Sequence, residues 1–155
     1  MNLAQFGHAV ARRLEDRILA WIDVDRYLPV QLDITNVCNL RCAHCYHPHH
    51  RNEGAVGIAE WITILEQYFS MIARLRYRPY ILLCGGEPAL SPHFPVILDW
   101  IHAKDPHTRL VILTNGTLPQ RLWAGGLARF PEVSVQISLD GPEAGTHDSI
   151  RGKGS

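Results

Sequence analysis

The sequence predicts an α/β fold in which helices cover a parallel sheet, and three observations support this prediction. Short apolar runs alternate with amphipathic stretches in the order strand, helix, strand, helix, strand, helix, strand. The run at 80–83 is wholly apolar, as expected for a strand that is buried on both faces. The segments between runs are long enough to form the crossover helices that neighbouring parallel strands require.

The bulk composition fits one globular domain and gives no sign of a nucleic-acid or membrane partner. The 155 residues are 46% hydrophobic and 19% charged, and 15 basic side chains balance 15 acidic ones. No apolar run is long enough to span a bilayer, and charges occupy the positions where a secretory signal would be apolar. We therefore expect a cytoplasmic, reducing location, where clustered cysteines bind metals or catalyse reactions more often than they form disulfides.

The first half of the chain predicts two helices and one strand. Residues 3–22 carry apolar side chains at helical spacing, so we expect a packing helix there. On this basis the chain divides into an N-terminal helical segment, 1–28, and a core domain, 29–155. Residues 30–35 alternate between apolar and polar side chains, which predicts a strand. A strongly amphipathic helix of about five turns begins at Ile58.

The second half of the chain repeats the pattern. Pro79 is expected to end the long helix. Ser91 and Pro92 predict the start of the next helix, as a capping residue followed by proline in the first turn. A weaker helical stretch at 118–130 is interrupted by two glycines. Strands are predicted at 80–83, 109–113 and 133–139, and a turn follows the last of them.

Each predicted strand is followed by a polar or glycine-containing motif. Parallel α/β folds bind their ligands at the carboxyl ends of the strands, so we expect the four motifs to meet at one site. The motifs are Thr35–Tyr46, Cys84–Pro88, Thr114–Gly116 and Ser138–Gly141.

The first motif holds three of the four cysteines of the chain. Cys38, Cys42 and Cys45 have the spacing C-x3-C-x2-C. Three thiolates on one short loop suit a metal or an iron–sulfur cluster and leave one coordination position open. The spacing alone leaves two alternatives, an iron–sulfur cluster and a structural zinc site with a fourth protein ligand. The candidates for that fourth ligand are His44, His47 and Cys84.

The other motifs suit a small polar ligand, although each is also compatible with an ordinary turn. The Gly85–Gly86 pair lets backbone approach a ligand closely, and the Glu87 carboxylate can accept from an ammonium group. Asn115 lies in an Asn-Gly turn sequence. Ser138 and Asp140 can either bond ribose hydroxyls or begin a turn.

Together these motifs resemble those of the radical S-adenosylmethionine (radical SAM) superfamily. The cysteine spacing matches the cluster motif of that family, and Tyr46 matches the aromatic residue usual after the third cysteine. Gly85–Pro88 and Thr114–Gly116 match the motifs of the second and third strands. Ser138–Gly141, followed by His147–Gly152, resembles the branch that modifies peptides and proteins, which includes maturases with a C-terminal SPASM-type iron–sulfur domain.

The resemblance implies a role for each motif and no catalytic residue beyond the cluster and cofactor. The three cysteines would hold three irons of a [4Fe–4S] cluster, whose fourth iron binds the amino and carboxylate groups of S-adenosylmethionine. Backbone at Gly85–Gly86, with the Glu87 carboxylate, would hold the methionine amino group, and backbone beside Tyr46 would meet the adenine. The residues implied to face the ribose or carboxylate are Asn115, Ser138 and Asp140.

The resemblance also implies a reaction, partners and an architecture. One electron from the cluster cleaves the sulfonium into methionine and a 5′-deoxyadenosyl radical, which abstracts hydrogen from a peptide or protein. An electron donor such as flavodoxin or ferredoxin is implied, and a non-catalytic iron–sulfur or SAM-binding module is the alternative. The family fold is a partial (β/α) barrel of six βα units, of which about four are present here. We therefore expect a fragment, or half of a split protein that a second chain completes.

Overall fold

A computed structural model describes residues 26–47 and 56–155, together with Ala11, Leu14 and Ile18. Its centre is a four-stranded parallel sheet with the spatial order β1-β2-β3-β4. The strands are β1 (Tyr27–Asp33), β2 (Arg78–Cys84), β3 (Arg109–Thr114) and β4 (Val133–Ile137). The helix predicted at 3–22 lies outside the described residues, apart from the three helical positions named above.

Helices follow each of the strands, as a sheet built from βα units requires. They are α1 (Ile58–Leu75), α2 (Phe94–Lys104), α3 (Pro119–Ala124) and α4 (Ala144–Arg151), with 3-10 turns at Pro88–Leu90 and Leu127–Arg129. The predicted α/β fold with parallel strands is therefore confirmed. The α4 helix was predicted only as a turn, because its eight residues bury a single side chain, His147, and carry no apolar stripe. Within the described ranges, no helix combines the length and apolar character needed to cross a membrane.

The two faces of the sheet differ in burial. One face packs against α1 and α2, and its side chains form the core together with Leu65, Ile97 and Leu98. The strand residues of that core include Leu32, Ile81, Leu83, Leu110 and Ile112. The opposite face is more open, so Tyr80 and Leu82 on β2 are only half-buried. The prediction that β2 is buried on both faces is therefore wrong, and the strand alternates between a covered and an open side.

The start of α2 differs from the prediction. Ser91 does not cap α2, which begins at Phe94 after His93 and has Pro95 rather than Pro92 in its first turn. The hydroxyl of Ser91 instead accepts from the backbone N–H of His93 at 3.2 Å. The predicted capping chemistry is present, but it closes a local turn at residues 91–93, directly before the helix.

The other element boundaries shift by a few residues. Pro79 does not end α1, since α1 stops at Leu75 with Arg76 in the left-handed conformation, and Pro79 lies inside β2. The first strand spans 27–33 rather than 30–35, and the fourth ends at Ile137 rather than Leu139. The motifs that begin at Thr35 and Ser138 therefore lie in the loops after β1 and β4, whereas Cys84 and Thr114 are the last residues of β2 and β3.

One buried hydroxyl joins α1 to the first two strands. Tyr68 on α1 is buried, and its hydroxyl accepts from the backbone N–H of Tyr80 at 2.8 Å. The same hydroxyl donates to the carbonyl oxygen of Leu28 at 2.6 Å. It therefore lies between β1 and β2 and satisfies one backbone group of each.

We expect Tyr68→Phe to lower the free energy of unfolding by about 1–3 kcal/mol, because it leaves a backbone donor and an acceptor without their partner. Urea unfolding measures the change. Tyr27→Phe is the matched control, since its hydroxyl bonds the exposed carboxylate of Glu132 and water can replace it. The control should change stability by less than about 0.5 kcal/mol. Equal effects of the two substitutions would contradict the proposed role of Tyr68.

Candidate functional site

The loop that follows β1, residues 34–47, carries the three clustered cysteines and is called the cysteine loop. Its first residues continue the pairing of β1 beyond the end of the sheet. Ile34 N–H donates to the carbonyl of Cys84 at 3.0 Å, and Gly86 N–H donates to the carbonyl of Thr35 at 2.7 Å. Glu87 N–H then donates to the carbonyl of Val37 at 2.8 Å. The cysteine loop is therefore fixed to the segment that follows β2.

Two glycines are required by this contact. A Cβ atom at Gly85 would lie 2.3 Å from the carbonyl oxygen of Thr35, and one at Gly86 would lie 2.3 Å from that of Val37. Gly85 also has a φ of +125°, a conformation that side chains disfavour. The sequence indicated that these glycines let backbone approach a ligand. In the structure they let two backbone segments approach one another.

Glu87 joins the end of β2 to the end of β3. Its side chain is fully buried, and one carboxylate oxygen accepts from the Thr114 hydroxyl at 2.8 Å and from Ala89 N–H at 3.2 Å. The other oxygen accepts from Asn115 N–H at 2.8 Å. Three hydrogen bonds thus offset the cost of burying this carboxylate. The implied contact of Glu87 with a methionine amino group stays a prediction, since its partners in the structure are protein groups.

The side chain of Asn115, the residue after β3, contacts the cysteine loop. Its amide nitrogen donates to the side-chain oxygen of Asn39 at 3.0 Å and lies 3.7 Å from the sulfur of Cys38. Its amide oxygen accepts from the backbone N–H and the hydroxyl of Thr117. Because the amide is bonded on both sides, its orientation beside Cys38 is fixed.

Helix α4 contacts the cysteine loop from the end of β4. The backbone N–H of Ala43 donates to the carbonyl of Ile150 at 2.8 Å. The guanidinium of Arg151 donates from Nε to Asp140 Oδ2 at 2.6 Å, and its Nη1 lies 3.9 Å from the sulfur of Cys42. The Asp140 carboxylate is therefore paired with the guanidinium of Arg151. Its implied contact with a ribose or carboxylate stays a prediction.

The structure places the remaining predicted residues at the same end of the sheet. Ser138 donates its backbone N–H to the carbonyl of Thr114 at 3.0 Å, and its side chain is half-buried. Tyr46 is 68% exposed, and its ring lies 4.4 Å from the ring of His47. The convergence of four strand ends on one region is thus observed, although the ligand contacts of these two residues stay predictions.

The three cysteines of the loop are free thiols and half-buried. Partial burial raises the pKa of Cys42 above its ordinary value, while the nearby guanidinium of Arg151 acts in the opposite direction. Among the described residues, no three His, Cys, Asp or Glu side chains surround a single-ion position. An iron–sulfur cluster does not require one, because its cysteine ligands bind different irons.

Cys84 lies on the more open face of the sheet, and its thiol is hydrogen-bonded to Asp33. Its thiol donates to Asp33 Oδ1 at 2.6 Å, and Gln31 donates to the same oxygen at 3.2 Å. Burial, together with the Asp33 carboxylate, raises the pKa of Cys84 to about 12. Since the thiolate is the form that binds metals, Cys84 acts here as a hydrogen-bond donor rather than as the fourth ligand considered from the sequence.

Sequence reasoning gave no role to several residues that hold the cysteine loop. Thr114 and Arg151 belong to the sequence motifs, but the motifs assign no role to either side chain. Asn39 likewise has no predicted role. The signal for Arg151 was present, because His147 and Arg151 are four residues apart and lie on one side of a helix. This spacing is informative only if residues 144–151 are known to form a helix.

We expect Gly86→Ala to destabilise the fold by about 2–3 kcal/mol, because its Cβ meets backbone that cannot move without breaking the loop contact. Urea unfolding measures the change. Gly145→Ala on α4 is the control, since a Cβ there meets nothing within 4 Å. That control should be neutral or stabilising by about 0.5–1 kcal/mol. Similar losses in both variants would show that the close approach at Gly86 is unimportant.

Curated relatives of this chain include several enzymes of biosynthesis. Mycofactocin maturase MftC of Mycobacterium ulcerans is 33% identical over 124 residues, which cover 79% of this chain and 32% of the relative. The subtilosin biosynthesis protein AlbA of Bacillus subtilis is 34% identical over 130 residues, covering 81% and 27%. AdoMet-dependent heme synthase of Methanosarcina barkeri is 30% identical over 141 residues, covering 88% and 34%. The chain therefore spans about a third of the length of these relatives.

Solved structures share the fold. SuiB of Streptococcus suis bound to S-adenosylmethionine matches with a TM-score of 0.66 and 17% identity, covering 99% of this chain and 35% of that chain. SuiB bound to the precursor peptide SuiA matches with the same TM-score and 19% identity, covering 91% and 31%. These similarities confirm the fold class, a parallel α/β sheet that forms part of a (β/α) barrel.

The family model of the radical SAM superfamily matches residues 32–155. That range contains the cysteine loop and the motifs after β2, β3 and β4. The cofactors of this family are a [4Fe–4S] cluster and S-adenosylmethionine, as the resemblance implied. Since the match covers most of the chain and all of the site described above, the chain belongs to the radical SAM superfamily.

Proposed function

We propose that this chain is the cofactor-binding part of a radical SAM enzyme that modifies a peptide or protein. The observation that carries the proposal is the cysteine loop, whose three free thiols are held by contacts from the ends of β2, β3 and β4. Peptide modification is supported by the maturase MftC and by AlbA among the relatives, and by the peptide-bound SuiB structure.

The donor set fits a [4Fe–4S] cluster. Cysteine thiolates are the ligands of such clusters, and Cys38, Cys42 and Cys45 supply three of them. The fourth iron then remains for S-adenosylmethionine. When bound, the two cofactors supply a one-electron reductant and a cleavable sulfonium. Cys84 is bonded to Asp33 and is not needed as a ligand.

The residues after β2 suit the methionine end of S-adenosylmethionine. The N–H of Gly86 already donates to Thr35, so the carbonyl oxygens of Gly85–Gly86 are the groups we assign to an ammonium ion. The Glu87 carboxylate accepts hydrogen bonds from protein groups through both oxygens, and we assign it the role of holding Thr114 and Asn115 beside the segment that follows β2. Its negative charge also favours an ammonium group nearby.

The remaining predicted contacts belong to the same proposal. Backbone beside Tyr46 would contact the adenine, and Asn115, Ser138 and Asp140 would face the ribose or the carboxylate. An exclusion of water from this region favours radical chemistry, because it prevents side reactions of a reactive intermediate. The half-buried cysteines and the bonded side chains around them are consistent with such an environment.

Partners and location form a further part of the proposal. A reducing, cytoplasmic setting with flavodoxin or ferredoxin as electron donor suits a cluster that must be reduced before each reaction. In the described sheet β4 is the end strand and pairs with β3 along one edge, so its other edge can pair with an additional strand from the same protein or from a second chain. Such strands would complete more of the barrel and close the site.

A second candidate substrate is a tetrapyrrole. The support is the identity of 30% over 141 residues with AdoMet-dependent heme synthase, a value similar to those of the peptide-modifying relatives. Both candidates use the same cofactor site, so they differ only in the substrate.

Anaerobic reconstitution with iron and sulfide tests the cofactor proposal. We expect about four irons per chain and a brown protein that absorbs at about 400 nm, because thiolate-bound clusters have charge-transfer bands there. Dithionite and S-adenosylmethionine should then yield 5′-deoxyadenosine, measured by liquid chromatography with mass spectrometry. If a full-length protein with a complete cluster forms none, the chain is a binding module rather than part of an enzyme.

Substitution of single cysteines tests the assignment of the ligands. We expect Cys42→Ala to lose nearly all bound iron, since two thiolates cannot anchor a cluster through three irons. Cys84→Ala is the matched control and should keep about four irons, because this thiol is bonded to Asp33. Iron analysis after desalting measures both. Full iron content in Cys42→Ala, or its loss in Cys84→Ala, would refute the assignment.

A further inference from the structure

An ion pair between Arg151 and Asp140 lies beside Cys42, one of the proposed cluster ligands. Arg151 Nε donates to Asp140 Oδ2 at 2.6 Å, and Nη1 lies 3.9 Å from the sulfur of Cys42. The Arg151 side chain is 12% exposed and that of Asp140 is 25% exposed. Because water has little access to this pair, its charges are screened less than those of a surface pair.

The backbone around the pair fixes its position. Ala43, which follows Cys42, donates its N–H to the carbonyl of Ile150, the neighbour of Arg151. His147, buried on the same helix, accepts from the backbone N–H of Asp140 through Nδ1 at 3.2 Å. Backbone hydrogen bonds at Ile150 and Asp140 therefore hold the segments that carry the ion pair, which restricts movement of the guanidinium away from the cysteine.

We propose that Arg151, oriented by Asp140, raises the reduction potential of the cluster that the cysteine loop binds by placing a guanidinium beside the Cys42 sulfur. The inference rests on the proposed function, because it requires that Cys42 is a cluster ligand. Reduction adds one negative charge to the cluster and its thiolates, so an adjacent cation stabilises the reduced form more than the oxidised form. Net charge and hydrogen bonds to the sulfurs are the features by which a protein adjusts such potentials.

Asp140 has the opposite effect on the electrostatic potential at the Cys42 sulfur. Its carboxylate holds the guanidinium in place and also cancels part of its field at the Cys42 sulfur. His44 lies on the outer side of the same carboxylate, with Nε2 at 3.7 Å from Oδ2. The pair therefore places one cation and one anion at different distances from the sulfur, and the two residues should shift the potential in opposite directions when each is neutralised.

The test is the midpoint potential of the reconstituted cluster, measured by anaerobic redox titration with electron paramagnetic resonance. Arg151→Gln should lower the equilibrium constant for reduction about tenfold, which is about 59 mV more negative for a one-electron couple. Asp140→Asn keeps an acceptor for the guanidinium but removes the anion, so its potential should become less negative. A role in packing alone would not produce shifts of opposite sign.

A second arginine–aspartate ion pair with the same nitrogen–oxygen distance provides the control. Arg129 donates to Asp99 Oδ1 at 2.6 Å and joins the 3-10 turn at 127–129 to α2, on the helix side of the sheet. Arg129→Gln and Asp99→Asn change the net charge in the same way as the two test variants. We expect neither to move the midpoint potential, because both are on the surface and exposed to solvent.

The outcomes separate this inference from the proposed function. If the unsubstituted chain assembles no cluster, the proposed function fails. If it assembles a cluster and the potentials of Arg151→Gln and Asp140→Asn match those of the control pair, the inference is overturned while the function stands. Should Arg151→Gln fail to hold a cluster, Asp140→Asn alone decides, and an unchanged or more negative potential in that variant overturns the inference.

Discussion

The close backbone contact between the cysteine loop and the Gly85–Gly86 pair is the constraint on which the site depends. It continues the pairing of β1 and β2 past the end of the sheet, so the direction in which the loop leaves β1 is set by main-chain hydrogen bonds. No side chain fits at this contact. The glycines therefore fix the position of the cysteines, and the Gly85–Gly86 segment and the cysteine loop form one backbone unit.

Three kinds of interaction hold the loop from three sides. Backbone hydrogen bonds come from β2, the amide of Asn115 comes from β3, and the Arg151–Asp140 ion pair comes from the region after β4. Glu87 connects the first two of these supports through a buried carboxylate. Since each support comes from a different strand end, the site exists only when the whole sheet has formed. Cofactor binding should therefore be coupled to folding.

Local sequence patterns predicted the features that depend on neighbours in the chain. The cysteine spacing, the amphipathic pattern of α1 and the interruption of the helical stretch at 125–126 are of this kind. Contacts between distant segments were not predictable in the same way. The hydroxyl of Tyr68 between two strands, the buried carboxylate of Glu87 and the position of α4 depend on where the strands lie in space. Ser91 shows an intermediate case, in which the predicted capping chemistry is present but closes a turn before α2 rather than the helix itself.

The contact between Cys42 and Arg151 joins residues 109 positions apart. During synthesis the three cysteines leave the ribosome long before the helix that supports them, at about 5–20 residues per second. For several seconds the thiols lie on a loop without its later supports and with no cluster, where oxidants reach them readily. Iron and sulfide delivered in that interval would meet a loop that lacks its final shape. The order of translation thus favours cluster insertion after Arg151 has been made.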